Sequence, residues 1–184
     1  MSKILFFGDS LTAGYGLANV SLDSLPAVLQ KKIDAANLDY KIINAGLSGE
    51  TSGGGLTRID YLLSQPFDVF VLELGANDIL RGISPAKTAM NLQQIIDKVR
   101  SKYPQVKMLL LGMELPPWIP GTQAAEFRKI FRNVANNNQM ALVPFLLDGV
   151  AGIRELNLQD GLHPTAAGYK IIAEKIWPAL AALL

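Results

Sequence analysis

Short unbroken apolar runs alternate along the chain with longer stretches whose apolar positions recur at helical spacing. Ile4–Phe7, Lys41–Ala45, Val69–Leu74 and Lys107–Leu111 are such runs, each ended by glycine, asparagine or an acidic residue. They predict parallel strands, because a strand covered on both faces loses the in–out alternation of a half-exposed one. A fifth, weaker run lies around Met140–Pro144. Helical periodicity marks Leu22–Ala36, Gly54–Ser64, Pro85–Lys102, Ala124–Asn138 and Thr165–Leu184. Ser84-Pro85 places a capping hydroxyl before a first-turn proline, and Pro164-Thr165 opens the last helix.

Strands alternating with helices predict an α/β sandwich, with right-handed crossovers and a five-stranded, mainly parallel sheet. Ligands of such sheets bind beyond the carboxyl ends of the strands. The polar, glycine-rich segments Gly8–Gly16, Gly46–Gly55 and Gly75–Gly82 follow the first three strands and fall there. No internal repeat or linker interrupts the pattern, so residues 1–184 are expected to form one domain.

Composition narrows the chemistry. Seventeen basic and sixteen acidic residues leave a formal charge of +1, with no basic cluster to suit a nucleic acid or an anionic membrane. With no cysteine, disulfides, thiol nucleophiles and thiolate metal sites are excluded. The single histidine, His163, excludes multi-histidine metal sites and must carry any imidazole chemistry. The first apolar run is too short for a signal core, so a cytoplasmic location is expected as the sequence stands. An export signal removed from ahead of Met1 would make it periplasmic or secreted. The apolar tail Ile176–Leu184 is too short to span a bilayer, so no integral membrane segment is expected. Nothing in the sequence sets an oligomeric state.

Ser10 comes three residues after the first run and should stand at the carboxyl edge of that strand. By itself it is as well explained as a turn residue. A serine nucleophile needs an adjacent base, and His163 is the sole candidate. Asp160 precedes that histidine by three residues, with Gly161 between, and is placed to accept the Nδ1 proton. A simple Asx turn would satisfy the same spacing. Acyl transfer also requires donors for a developing oxyanion. The Ser10 N–H, the Gly46 N–H after the second strand and the Asn77 amide after the third are the candidates. Asp9 is read as holding its own turn, and Glu73 and Glu114 as paired or hydrogen-bonded supports. Trp118, in Met113–Trp118 after the fourth strand, either lines a pocket or anchors its loop.

The blocks Gly8-Asp9-Ser10-Leu11, Asn44-Ala45-Gly46, Gly75-Ala76-Asn77-Asp78 and Asp160-Gly161-Leu162-His163-Pro164 occur in that order over nearly the whole chain. In these the sequence resembles the GDSL, or SGNH, hydrolases. The first block extended through Gly16, Ser48–Ser52 and Leu80-Arg81-Gly82 carry a closer likeness to their thioesterase I, lysophospholipase and arylesterase branch. The resemblance implies a flavodoxin-like three-layer α/β/α fold, no metal and no cofactor, with a small acyl ester or lipid as substrate. It implies Ser10, Asp160 and His163 as catalytic residues and Ser10, Gly46 and Asn77 as the oxyanion hole. Leu11, Ile79, Leu80, Trp118 and Leu162 are the expected substrate contacts, with Asp78–Gly82 as a mobile loop beside them.

Two other readings weaken on the residues. A haloacid-dehalogenase-like phosphatase using Asp9 needs a second aspartate where Leu11 stands. A flavodoxin-like nucleotide-binding module lacks its third glycine in Gly14–Asn19, and Gly49–Thr57 has no Walker lysine.

Overall fold

In the computed structural model, which describes residues 1–115 and 119–184, the five apolar runs form one sheet. The strands are β1 (Ser2–Gly8), β2 (Tyr40–Gly46), β3 (Val69–Glu73), β4 (Lys107–Leu111) and β5 (Ala141–Val143). They stand in the order β2-β1-β3-β4-β5, and every neighbouring pair is parallel. This is the flavodoxin-like order, and its switch point lies between β1 and β3. The register sets Gly8 at the end of β1 beside both Gly46 and Glu73. The loops that leave the sheet there therefore meet over one crevice.

The inner strands are dry on both faces. Ile4–Phe7 and Val69–Leu72 are buried throughout. Helices α3 (Leu25–Ala35) and α8 (Ala166–Ala181) pack together on one side of the sheet. On the other lie α4 (Ser52–Leu62), α6 (Pro85–Lys102) and α7 (Thr122–Asn137). Large side chains such as Phe6, Phe70, Phe131 and Tyr169 are fully enclosed, and burying each aromatic or aliphatic group contributes about 1.5–3 kcal/mol. Among the described residues no helix is long and apolar enough to cross a membrane.

Both signalled helix starts are present. The Ser84 hydroxyl accepts the Lys87 N–H at 3.3 Å, and the Thr165 hydroxyl accepts the Gly168 N–H at 3.2 Å. Elsewhere the elements depart from the periodic pattern. The expected Leu22–Ala36 helix is two, α2 (Val20–Asp23) and α3, divided at an extended Ser24 that caps the second. Pro26 sits in the first turn of α3, where its missing N–H costs nothing. The polar segments after β1 and β3 are not wholly loop. They hold the short helices α1 (Ser10–Ala13) and α5 (Ala76–Leu80). Helix α4 begins at Ser52, capped by Thr51, rather than at Gly54.

Candidate active site

Ser10 is the first residue of α1, at the sharp turn from β1. Asp9 caps that helix, its Oδ1 accepting the Leu11 N–H at 2.9 Å. The first N–H groups of a helix have no partner within it, so the Ser10 N–H is free of the helix's own ladder. The residue is 8% exposed, with its hydroxyl at the crevice.

His163 arrives from the other end of the chain, in the loop before α8. The Leu158 N–H donates to the His163 carbonyl at 2.7 Å, and Asn157 bridges to Pro164, closing the loop on itself. The imidazole Nε2 lies 2.8 Å from Ser10 Oγ, and Nδ1 lies 2.7 Å from Asp160 Oδ2. Asp160 Oδ1 meanwhile accepts the N–H groups of Leu162 and His163, at 2.9 and 3.0 Å. The Asx turn and the imidazole contact therefore coexist, on different oxygens. The ring of Tyr15 leans on the imidazole, 4.7 Å between centroids.

Asn77 sits in α5 and is half-buried at the crevice, with its Nδ2 donating to Asp9 Oδ2 at 3.0 Å. An amide nitrogen carries two protons, so one remains for a ligand. Gly46 does not match its expected role. Its N–H is spent on Asn44 Oδ1 at 3.0 Å, and it does not line the cavity beside Ser10. A Cβ at Gly46 would lie 2.2 Å from the Ala13 nitrogen, so the glycine serves the close packing of α1 on β2. Three residues further on, Gly49 does line the cavity. It occupies the third position of the Leu47–Glu50 turn at φ 79°, a conformation glycine adopts freely. Arg81 holds its carbonyl at 2.8 Å, and its N–H has no hydrogen-bond partner among the described residues.

A cavity of about 530 Å³ opens beside Ser10 and His163. The expected contacts Leu11, Ile79, Leu80 and Leu162 all line it; Trp118 lies outside the described residues. Met113, Leu115, Phe145 and Leu147, none of them expected as a contact, complete the apolar wall. Among the described residues no Lys, Arg, Asp or Glu lines the cavity. The segment Asp78–Gly82 is anchored at its first residue. Asp78 is fully buried and accepts the Ser52 N–H at 2.8 Å, the Ser52 hydroxyl, and the Thr88 hydroxyl at 2.9 Å.

The carboxyl groups divide by environment. Slight burial would raise Asp160, but the His163 and Leu162 N–H groups and the His163 imidazole outweigh it and lower its pKa from 3.8 to about 2. Burial pushes Asp9 upward, against the Leu11, Asn77 and Glu73 hydrogen bonds and the His163 charge. Burial and the Asp9 charge push fully enclosed Glu73 up as well. Glu114 pairs with Arg132 at 2.8 Å, as its reading as a support anticipates.

A flavodoxin-like sheet carrying a serine against a paired imidazole at its switch point, with no G-x-S-x-G elbow, defines a hydrolase apart from the usual α/β-hydrolase arrangement. The chain belongs to the GDSL-like lipase/acylhydrolase family, whose profile matches residues 6–171. It is similar to the esterase TesA of Pseudomonas aeruginosa, 39% identical over 98% of this chain and 89% of TesA. An arylesterase of Vibrio mimicus is 35% identical over 94% of this chain and 84% of its own. The crystal structure of the psychrotrophic esterase EstA from Pseudoalteromonas sp., inhibited by monoethylphosphonate, matches with a TM-score of 0.88. It is 32% identical and covers 99% of this chain and 98% of that one.

Proposed function

We propose that the protein hydrolyses carboxylic esters, aryl or acyl, through an acyl-enzyme on Ser10, with residues 1–184 acting as one hydrolase domain. The observation that carries this reading is His163, with Nε2 2.8 Å from the serine hydroxyl and Nδ1 2.7 Å from Asp160. His163 takes the Ser10 proton as the oxygen attacks the acyl carbonyl, then delivers it to the departing alcohol. Water repeats the sequence on the acyl-enzyme and releases the acid. Asp160 keeps the proton on Nδ1 and stabilises the transient imidazolium.

The N–H groups of Ser10 and Gly49 and the second proton of the Asn77 amide receive the oxyanion. Gly49 replaces Gly46 in this set because its N–H is unspent and the residue lines the cavity. An uncharged, apolar wall supports an uncharged acyl or aryl group as substrate. Acyl thioesters and lysophospholipids present the same acyl chain and extend the substrate range.

The test is hydrolysis of p-nitrophenyl esters from acetate to palmitate, with an acyl-CoA alongside. Ser10→Ala should lose about 10⁴-fold or more in kcat while remaining folded, and should no longer be labelled by a fluorophosphonate. Near-normal turnover by that variant would overturn the reading.

A further inference from the structure

Directly behind the nucleophile, two carboxyl groups are buried against each other. Asp9 and Glu73 are both wholly enclosed, and their side chains lie within hydrogen-bond reach. Glu73 Oε2 accepts the Thr12 hydroxyl at 2.8 Å and the Asp9 N–H at 3.2 Å. Its other oxygen, Oε1, is buried and faces no donor among the described residues. Asp9 by contrast spends both oxygens as an acceptor, Oδ1 on Leu11 and Oδ2 on Asn77. Gly8 makes room for the arrangement: a Cβ there would come within 2.5 Å of Glu73 Oε2.

Two carboxylates in contact in a dry site do not both ionise, and a shared proton resolves the pair. The donor count decides which carries it. Asp9 accepts from two amide groups that favour its charged form, whereas Glu73 has an oxygen with no donor to stabilise charge. The other titratable groups facing the pair are Tyr169 of α8, buried with its hydroxyl unpartnered, and His163, whose positive form favours charge on Asp9. The neutral Tyr169 phenol bonds to neither carboxyl, and the His163 charge, by favouring ionised Asp9, favours the proton on Glu73.

We propose that Glu73 is a positioning residue: a neutral carboxylic acid whose O–H donates to the Asp9 carboxylate, so that Asp9 in turn aims the Asn77 amide into the cavity. This rests on the hydrolase reading above and deepens it. Burial and the Asp9 charge raise the affinity of Glu73 for its proton, in keeping with the geometry. The pair explains why an acid stands at the end of an otherwise apolar strand. An ionised Glu73 would repel Asp9 and leave its own Oε1 bare. A neutral one supplies the hydrogen bond that keeps Asp9, and through it Asn77, from turning.

The discriminating variants are Glu73→Gln and Glu73→Met. Glutamine keeps an N–H donor toward Asp9 and an acceptor for Thr12, so its kcat should stay within about threefold of the native value. Methionine keeps neither, and should cost about tenfold or more in kcat with KM little changed, since Asn77 acts on the transition state. A second readout needs no activity. An acid whose proton is held more tightly when folded contributes stability that is full below its unfolded pKa and declines as pH rises toward its folded one. The native protein should therefore lose stability relative to Glu73→Gln between pH 5 and 8 in denaturant unfolding. The proposal is overturned if Glu73→Gln falls as far as Glu73→Met, if folded Glu73→Met keeps native kcat, or if the stability difference ignores pH. Should Glu73→Met fail to fold, Glu73→Gln alone decides. If the hydrolase reading itself is wrong, the native protein turns over no ester, while the stability slope still reports the Glu73 proton.

Discussion

Asp160 holds His163 through both carboxylate oxygens: Oδ2 meets Nδ1 at 2.7 Å, and Oδ1 accepts the His163 backbone N–H at 3.0 Å. One oxygen shapes the loop and the other sets the imidazole tautomer. Asp160→Asn should separate these tasks. The asparagine carbonyl can still serve the backbone, but the amide cannot both do that and accept from Nδ1. The loop should keep its form while kcat falls about 10²–10⁴-fold, toward the lower figure because Asp160 is partly exposed. Steady-state kinetics on p-nitrophenyl butyrate read the result, and an unchanged kcat would remove Asp160 from the catalytic group.

The same residue gives stability a pH dependence of definite sign. Asp160 has its folded pKa lowered from 3.8 to about 2, so it binds its proton less tightly folded than unfolded. Its contribution is full above the unfolded value and disappears as pH falls through the folded one. Native protein should thus exceed Asp160→Asn in thermal midpoint at pH 5, and the gap should close toward pH 2. A gap that stays constant over that range would show that the carboxylate charge plays no part in holding the loop.

Asn77 is anchored to Asp9 by one amide proton and is expected to offer the other to the oxyanion. Removing it should act on the transition state and hardly on the ground state. Asn77→Ala is expected to lower kcat by about 10²–10³ with KM within a small factor. A rise in KM at constant kcat would instead make Asn77 a binding contact.

That Ser10, His163 and Asp160 meet was legible because few alternatives existed: the chain has one histidine, and its carboxylate partner lies three residues away. The sheet was legible because its inner strands are apolar without interruption. Gly46 and Gly49 were not separable by pattern, since both stand in the polar, glycine-rich segment where the second apolar run ends. What distinguishes them is three-dimensional: α1 packs against the first, and the second, at positive φ in its turn, lines the cavity. Ser48-Gly49, with the glycine third in a four-residue turn, is the local signal that could have pointed there. Helices α1 and α5 have four and five residues, too few to display a helical period. Phe145 and Leu147 line the cavity, yet nothing local tells an apolar residue facing a ligand from one facing the core.

Acyl-chain preference follows from the wall of the cavity. Leu11, Ile79, Met113 and Phe145 present hydrocarbon, and no charged side chain among the described residues interrupts it. Each methylene moved from water into such a wall contributes about 0.8 kcal/mol, or about fourfold in kcat/KM. Going from acetate to butyrate adds two, for a ceiling of about fifteenfold. The gain should continue with length until the cavity of about 530 Å³ is full, then level off or reverse as further carbons meet solvent. Leu80→Asp, at the exposed rim, should reduce the increment per methylene and leave acetate nearly untouched. If instead acetate is the best substrate and the Leu80 change lowers every ester equally, the acyl chain does not occupy this cavity.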